Sequence, residues 1–317
     1  MSDLRFWIPL AKPQPYKTFF RRTFRKWGWI LRNLPRGFAV KFGFVGARLV
    51  NNTSSENEHL KLNKTYALGY KGFVVELPRD KMIYSFIKNR GSWELEESEF
   101  LASGLKKAAV SPKSRVAFLD IGANSGLVSL QAINLAKTQA EVFLFEPIPR
   151  HILAIKHNFQ NHKNIHIENF ALSHSNGKSE IFTENFNHGN SSMLKSVVEP
   201  LGRIQTKVKL VNTKEYCDTF LIKFDSYVIK CDTQGMDALI LSRVPNRIWA
   251  KVQCAIIEIW ALPEISGQDV DNLLLMCQQF KFISWHPGSK EKLELIEIKL
   301  FWTNNSKLVR NLYLSKN

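Results

Sequence analysis

The sequence predicts an α/β fold in which a mostly parallel sheet carries helices on both faces. Two observations lead to it. From residue 115 onward, short β-branched or aromatic runs alternate with apolar-faced stretches of ten or more residues. The first run, "RVAFLDIG" (115–122), passes directly into a helical stretch through Gly122 and Gly126, and the acids Asp120 and Glu146 close the first two runs. Sheets of this kind bind ligands outside the carboxyl ends of their strands.

The elements follow in order. Residues 1–50 are rich in Arg, Lys, Phe and Trp and hold a single acid, Asp3. Within 16–34, Phe20, Phe24, Trp27, Leu31 and Leu34 recur at helical spacing, while Arg21, Arg22, Arg25, Lys26 and Arg32 fall mostly elsewhere. That pattern predicts a basic amphipathic helix, suited either to an anionic membrane surface or to packing on the domain or a second subunit. The polar run 51–59 reads as a linker. Two short strand-like runs follow, then a helix over 92–109 with Glu94, Glu96 and Glu97 in its first turn and Lys106 and Lys107 in its last. The chain therefore divides into a basic extension and linker (1–60), an N-terminal segment of the catalytic unit (61–114) and the main α/β domain (115–317).

Within that domain, strands are expected at 115–122, 140–147, 164–172, 227–232, 254–260, 281–286 and 296–303. Helices are expected at 126–137, 150–162, from about 235, and at 269–280. Asn176-Gly177 predicts a hairpin turn within 175–184.

A chain of 317 residues, 44% hydrophobic, can bury a full core. Its 44 Lys and Arg against 28 Asp and Glu leave a net charge of +16, which favours anionic company: a membrane surface, nucleic acid or a phosphorylated substrate. Cys217, Cys231, Cys254 and Cys277 are far apart and form no C-x-x-C pair, so neither a zinc site nor a disulfide scaffold is expected. No stretch approaches the roughly 18 apolar residues of a membrane span. The expected location is the cytoplasm, with peripheral contact at the inner face of the membrane through 16–34.

The strand ends carry the chemistry. A carboxylate closing the second strand, Glu146, can accept both hydroxyls of a ribose. Gly122 and Gly126 lack a Cβ and allow close approach to the backbone. The turn reads Asp120-x-Gly122-Ala-Asn124-Ser-Gly126 rather than G-x-G-x-x-G. A carboxylate beside a pyrophosphate would repel it, whereas beside an ammonium it would attract. Charge therefore favours S-adenosylmethionine over a dinucleotide.

The runs "LDIGANSGLVSL", "FEPIPRHILAIKHNF", "NFALSHSNGKSEIF", "GNSSML" and "IKCDTQGMDALIL" resemble the FkbM family of S-adenosylmethionine-dependent methyltransferases over about residues 115–260, and "RGSWELEESEF" resembles its upstream segment. The resemblance implies the Rossmann-like class I methyltransferase fold, with a seven-stranded sheet, and methylation of a hydroxyl on a saccharide, glycolipid or secondary metabolite. It implies that Asp120, Gly122, Asn124 and Gly126 line the methionine end of the cofactor. Glu146 would hold the ribose, Pro147 would shape the turn, and Asn169 and Ala171 would sit near the adenine. The family motif K-x-D-V-E/Q-G-A-E stands here as Lys230-Cys231-Asp232-Thr233-Gln234-Gly235-Met236-Asp237, departing at Thr233, Met236 and Asp237.

An alcohol acceptor needs a group to take its proton. Asp232, Glu258 and His188 are the candidates, with Asp232 as base or substrate orienter. No metal site is expected, since His151, His157, His162 and His166 straddle one helix and the turn after it. Two rival readings stand beside this one. One is an RNA ribose methyltransferase, favoured by charge. The other is a non-catalytic membrane- or partner-binding protein on a methyltransferase scaffold.

Overall fold

A strand buried on both faces must be apolar almost throughout, and 116–121 is covered at every position and apolar but for Asp120. The computed structural model describes residues 65–70, 73–78, 81–184, 189–198, 203–304 and 308–316. The amphipathic segment 16–34, the linker 51–59 and His188 lie outside the described residues.

The antiparallel pair β1 (Thr65–Tyr70) and β2 (Phe73–Pro78) leads into α1 (Lys81–Arg90) and α2 (Leu95–Ala108). The main domain continues with β3 (Val116–Ile121), α3 (Leu127–Ala136), β4 (Glu141–Phe145), α4 (Pro149–Asn158) and β5 (Ile165–Glu168). Next come β6 (Ala171–Ser173), β7 (Gly177–Glu184), β8 (Ser191–Ser192) and β9 (Arg203–Asn212), then α5 (Thr213–Tyr216) and a π-helical turn, Cys217–Leu221. The rest is β10 (Ser226–Cys231), α6 (Asp237–Leu241), α7 (Asn246–Trp249), β11 (Val252–Trp260), α8 (Gly267–Cys277), β12 (Phe282–Ser284), α9 (Leu295–Thr303) and β13 (Val309–Ser315).

Seven strands form the main sheet in the order β12-β13-β11-β10-β3-β4-β5. Pairing is parallel from β11 to β5, and β13 runs antiparallel between β11 and β12. This is the order of the Rossmann-like class I methyltransferase fold. The chain builds β4 and β5 on one side of β3 and then returns to place β10 and β11 on the other. The crevice between β3 and β10 is therefore the switch point where such sheets bind ligands.

Alternate residues feed opposite layers. Leu119, Phe143, Ile229 and Ile257 pack into one core with Trp249, Phe280 and Trp302. Phe118, Val142, Leu144, Val228 and Ile256 pack into the other, with Leu101, Leu105 and Leu130 of α2 and α3. At Gly104 a Cβ would lie 2.0 Å from the Cys254 sulfur, so α2 rests directly on β11. All four cysteines are buried and free.

Three local expectations are corrected. The run 164–172 is not one strand, because it leaves the main sheet at Asn169, and Ala171 begins β6 of a separate four-stranded sheet ordered β6-β9-β7-β8. Asn176-Gly177 does not close a hairpin, because β9 lies between β6 and β7, and Leu210 pairs with both Ala171 and Gly177. The Asn176 side chain instead accepts from the Asn212 amide at 2.9 Å and donates to Glu215 at 2.7 Å. Finally, 296–303 is helical. Strand alternation would bury Ile296, Ile298, Leu300 and Trp302 together, whereas Ile298 and Trp302, four apart, are buried and Ile296 and Leu300 are exposed. The last strand is β13.

Gly122 has φ 81°, and a Cβ there would stand 2.1 Å from the Asp232 carbonyl oxygen. The Asp232 amide donates to the Ile121 carbonyl at 2.9 Å, which holds the two strand ends together. Gly122→Ala combines left-handed strain with a backbone clash and is expected to destabilise the fold by about 3 kcal/mol in denaturant titration. Gly177→Ala, which meets nothing within 4 Å, is the matched control and should change stability by less than about 1 kcal/mol.

Candidate functional site

A carboxylate with no exposure, as at Asp120, requires compensation. β3 and β10 pair with Asp120 opposite Lys230, which puts both side chains on one face. The Lys230 ammonium lies 3.5 Å from Asp120 Oδ1 and 3.6 Å from Asp232 Oδ2, and Ser129 of α3 donates to Asp120 Oδ2 at 2.6 Å. Burial raises the Asp120 carboxyl above its ordinary range, against the opposing pull of Lys230 and the Ser129 hydroxyl. Burial acts in the opposite sense on Lys230, but Asp120, Asp232, Glu94 and Glu258 outweigh it and hold the ammonium above the usual lysine range. Lys230 is therefore charged. The expectation that the Asp120 carboxylate itself meets a ligand's ammonium is corrected, because it is fully covered and already engaged. Of the Asp120–Lys230–Asp232 chain, Asp232 is the most open member, with its side chain 20% exposed.

The chain of contacts runs on across the strand ends. Gln234 Nε2 donates to Asp232 Oδ1 at 2.6 Å and to Glu258 Oε2 at 2.7 Å, and Trp260 Nε1 donates to the same Glu258 oxygen at 2.7 Å. Glu258, a catalytic candidate by sequence, is 1% exposed and reaches Asp232 through the Gln234 amide. Gln234 adopts φ 57°, and Gly235 follows at φ 109°. Asp237 fixes this turn by accepting from the Thr233 and Gly235 amides, each at 3.2 Å. Over the turn lies 189–198, where Ser192 Oγ donates to the Gln234 carbonyl at 2.7 Å and accepts from the Leu194 amide at 3.0 Å.

On the other side of β3, Glu146 stands just beyond β4, 4% exposed. Its Oε2 accepts from the Asn124 amide at 2.9 Å and its Oε1 from the Ile148 amide at 2.8 Å, with His151 Nδ1 3.4 Å away. Each carboxylate oxygen has acceptor capacity beyond its one amide. Asn124 is left-handed, at φ 55°, and its buried Oδ1 has no hydrogen-bond partner. Asn169 ties the end of β5 to this corner by donating to the Glu146 and Pro147 carbonyls at 3.1 and 3.2 Å. Ala171 lies two residues on, at the start of β6. Gly126 has φ 75°, and a Cβ there would meet the Phe159 ring at 2.5 Å, so the ring packs where that side chain would be.

The structure thus brings Asp120, Gly122, Asn124, Glu146, Pro147, Asn169 and Asp232 to the carboxyl edge of β3, β4 and β10. Sequence reasoning missed the parts played by Lys230, Ser129 and Gln234, and it read Ser192 as a contact for an acceptor or cofactor where the hydroxyl bonds the Gln234 carbonyl. Lys230 had a signal: residues two apart on a strand share a face, so Lys230 sits beside Asp232. The Gln234 bridge had none, since it depends on a left-handed turn. Among the described residues no group of three or more His, Cys, Asp or Glu could hold a metal ion.

No family model and no curated protein matches the chain. Similar solved structures include the S-adenosylmethionine-dependent methyltransferase from Agrobacterium tumefaciens, 9% identical over 87% of this chain and 72% of that one, with a TM-score of 0.38. Aeropyrum pernix fibrillarin with natively bound S-adenosylmethionine is 12% identical over 79% and 93%, with a TM-score of 0.36. Precorrin-6y C5,15-methyltransferase from Geobacter metallireducens is 13% identical over 68% and 87%, with a TM-score of 0.33.

Burial first, and then Asp232, raise the Asp237 carboxyl from 3.8 to about 6. The native state therefore binds this proton more tightly than the unfolded chain. The resulting stability is complete below about pH 3.8 and lost as pH rises through about 6, a change on the order of 3 kcal/mol. Asp237→Asn is expected to flatten the fall in stability over that window in pH-dependent denaturation, relative to the wild type.

Proposed function

We propose that this chain is an S-adenosylmethionine-dependent O-methyltransferase acting on a hydroxyl of a saccharide, glycolipid or secondary metabolite. The observation that carries the reading is the division of carboxylates at the switch point: Glu146 oriented by two amides on one side of β3, and Asp232 held by Lys230 and Gln234 on the other. Such an edge suits a ligand rich in hydroxyl and amino donors and disfavours a pyrophosphate.

The residues fit the cofactor. Glu146 would receive the ribose hydroxyls, and Asn124 Oδ1, buried without a hydrogen-bond partner, would accept from a donor on the cofactor. Gly122 lets the ends of β3 and β10 meet without a side chain between them, Gly126 turns the chain into α3, and Asn169 and Ala171 would lie near the adenine in this reading. When bound, the cofactor supplies a methyl group on a sulfonium, an electrophile with a good leaving group. The protein's own task is then to align an acceptor hydroxyl and take up its proton. Asp232, anchored and partly open, performs that role in this reading, and Glu258 holds Asp232 through Gln234. The likeness of the sequence runs to the FkbM family supports a hydroxyl acceptor.

The net charge of +16 favours a second reading, in which the hydroxyl belongs to an RNA ribose. No helix among the described residues is long and apolar enough to cross a membrane. A cytoplasmic chain with a basic segment, 16–34, contacting anionic lipid remains part of the proposal.

Calorimetric titration is expected to show binding of S-adenosylmethionine and none of NAD. Glu146→Gln should weaken that binding by 1–3 kcal/mol, about five-fold to more than a hundred-fold, the scale of a lost charge-assisted hydrogen bond. Unchanged affinity would reject the ribose assignment. With methyl-labelled cofactor and an extract of the native host, label is expected in a glycan or lipid fraction, and label in RNA would establish the second reading. Asp232→Asn should slow turnover of the accepting fraction by about a hundred-fold or more with cofactor affinity nearly intact. Wild-type turnover would remove Asp232 from the mechanism.

A further inference from the structure

A polar atom buried without a partner calls for a physical reason, since it has lost water and gained no bond. His151, 1% exposed in the first turn of α4, has two such atoms, because neither ring nitrogen makes a hydrogen bond. The sequence groups it with His157, His162 and His166, but those three are partly exposed.

The backbone around His151 is fixed from two sides. α4 opens at Pro149, and the His151 and Ile152 amides both donate to the Ile148 carbonyl, at 3.0 and 3.2 Å. The Ile148 side chain packs with Ile181 of β7 and Val208 of β9, and Ile152 shares a core cluster with Val75 and Leu77 of β2. Held in this way, the imidazole places Nδ1 3.4 Å from Glu146 Oε1. A carboxylate oxygen only accepts, so the nitrogen facing it carries the proton. The contact is longer than an ordinary N–H···O hydrogen bond, and a small turn of the carboxylate would close it.

Three donors therefore surround Glu146: the Asn124 amide on Oε2, the Ile148 amide on Oε1, and the His151 ring just beyond bonding distance of Oε1. We propose that His151 is a positioning residue for the ribose of the cofactor, acting through Glu146. This rests on the S-adenosylmethionine reading and deepens it. Two amides orient the carboxylate in the free protein. A ribose laid on it removes its remaining water, and a carboxylate so covered needs further donors to stay charged. The Nδ1–H supplies one, and three fixed donors keep both oxygens in place for a cis-diol.

The test titrates the whole chain calorimetrically with S-adenosylhomocysteine and with its 2′,3′-dideoxy analogue, a pair that differs only in the diol. His151→Asn keeps a donor near the position of Nδ1, His151→Gln moves it toward that of Nε2, and His151→Phe keeps a ring without a donor. His151→Phe and His151→Gln are expected to weaken S-adenosylhomocysteine at least five-fold and the dideoxy analogue less than two-fold. His151→Asn should stay within two-fold of the wild type for both ligands. In a Glu146→Gln background, His151→Phe should cost less than a further two-fold, because the residue acts through that carboxylate. A histidine kept for packing alone would weaken both ligands alike and keep its cost without Glu146. That pattern, or unchanged affinity in both His151→Phe and His151→Gln, would overturn the His151 assignment and leave the cofactor reading standing. If His151→Phe does not fold, His151→Asn against His151→Gln decides in the same sense. A wild type that binds both ligands equally would reject the ribose assignment together with this inference, and one that binds neither would remove the cofactor reading as well.

Discussion

The ion pair between Lys230 and Asp120 is the constraint on which the rest of the site depends. Neither charge survives alone at that depth, because an unpaired buried ion costs several kcal/mol. β3 and β10 must therefore pair in the register that sets the two residues opposite one another, and that register defines the crevice at the switch point. Ser129 completes the shell from α3 and ties the first helix of the main domain to the same pair. Once Asp120 is committed, the carboxylates around it divide into the buried Glu258, which holds the network through Gln234, and the more open Asp232.

Backbone conformation carries a second share of the specification. At Asn124 a left-handed residue points its amide at Glu146, and at Gln234 another lets a single side-chain amide bridge Asp232 and Glu258. Gly122 lies between the two turns, where a Cβ would strike the Asp232 carbonyl, and this glycine serves the packing of one strand end against the next before it serves any ligand. Asp237 holds the far end of the second turn through two amides while buried beside Asp232, at a cost in carboxyl acidity. Several features that resemble ligand-binding motifs are thus also conditions for the strand ends to meet.

The accessory sheet lies between β5 and β10 in the chain and places a cover near the site. Its strands β7 and β8 lead to 189–198, where Ser192 bonds the Gln234 carbonyl and Leu194 lies 3.0 Å from where a Gly235 Cβ would stand. Because β9 inserts between β6 and β7, the sheet is held by pairings across some thirty residues instead of by a local turn. The same arrangement carries Asn169 out of line with β5 so that its side chain can secure the Glu146 corner.

Much of this was legible in the residues themselves. The alternating runs set the α/β class, six of the seven strands of the main sheet and the positions of Asp120, Glu146 and Asp232 at strand ends, because strand and helix periods are local properties of the chain. Failures came where a local pattern was ambiguous: 296–303 alternates like a strand, yet its buried pair is spaced like a helix, and only the surface of α8 and the adjoining core decide that. The assignment of charges lay further out of reach. That Asp120 belongs to Lys230 and that Glu258 lies behind Gln234 depend on residues from about 20 to more than 100 positions apart. Electrostatics acts between neighbours in space, and tertiary packing alone determines which groups those are.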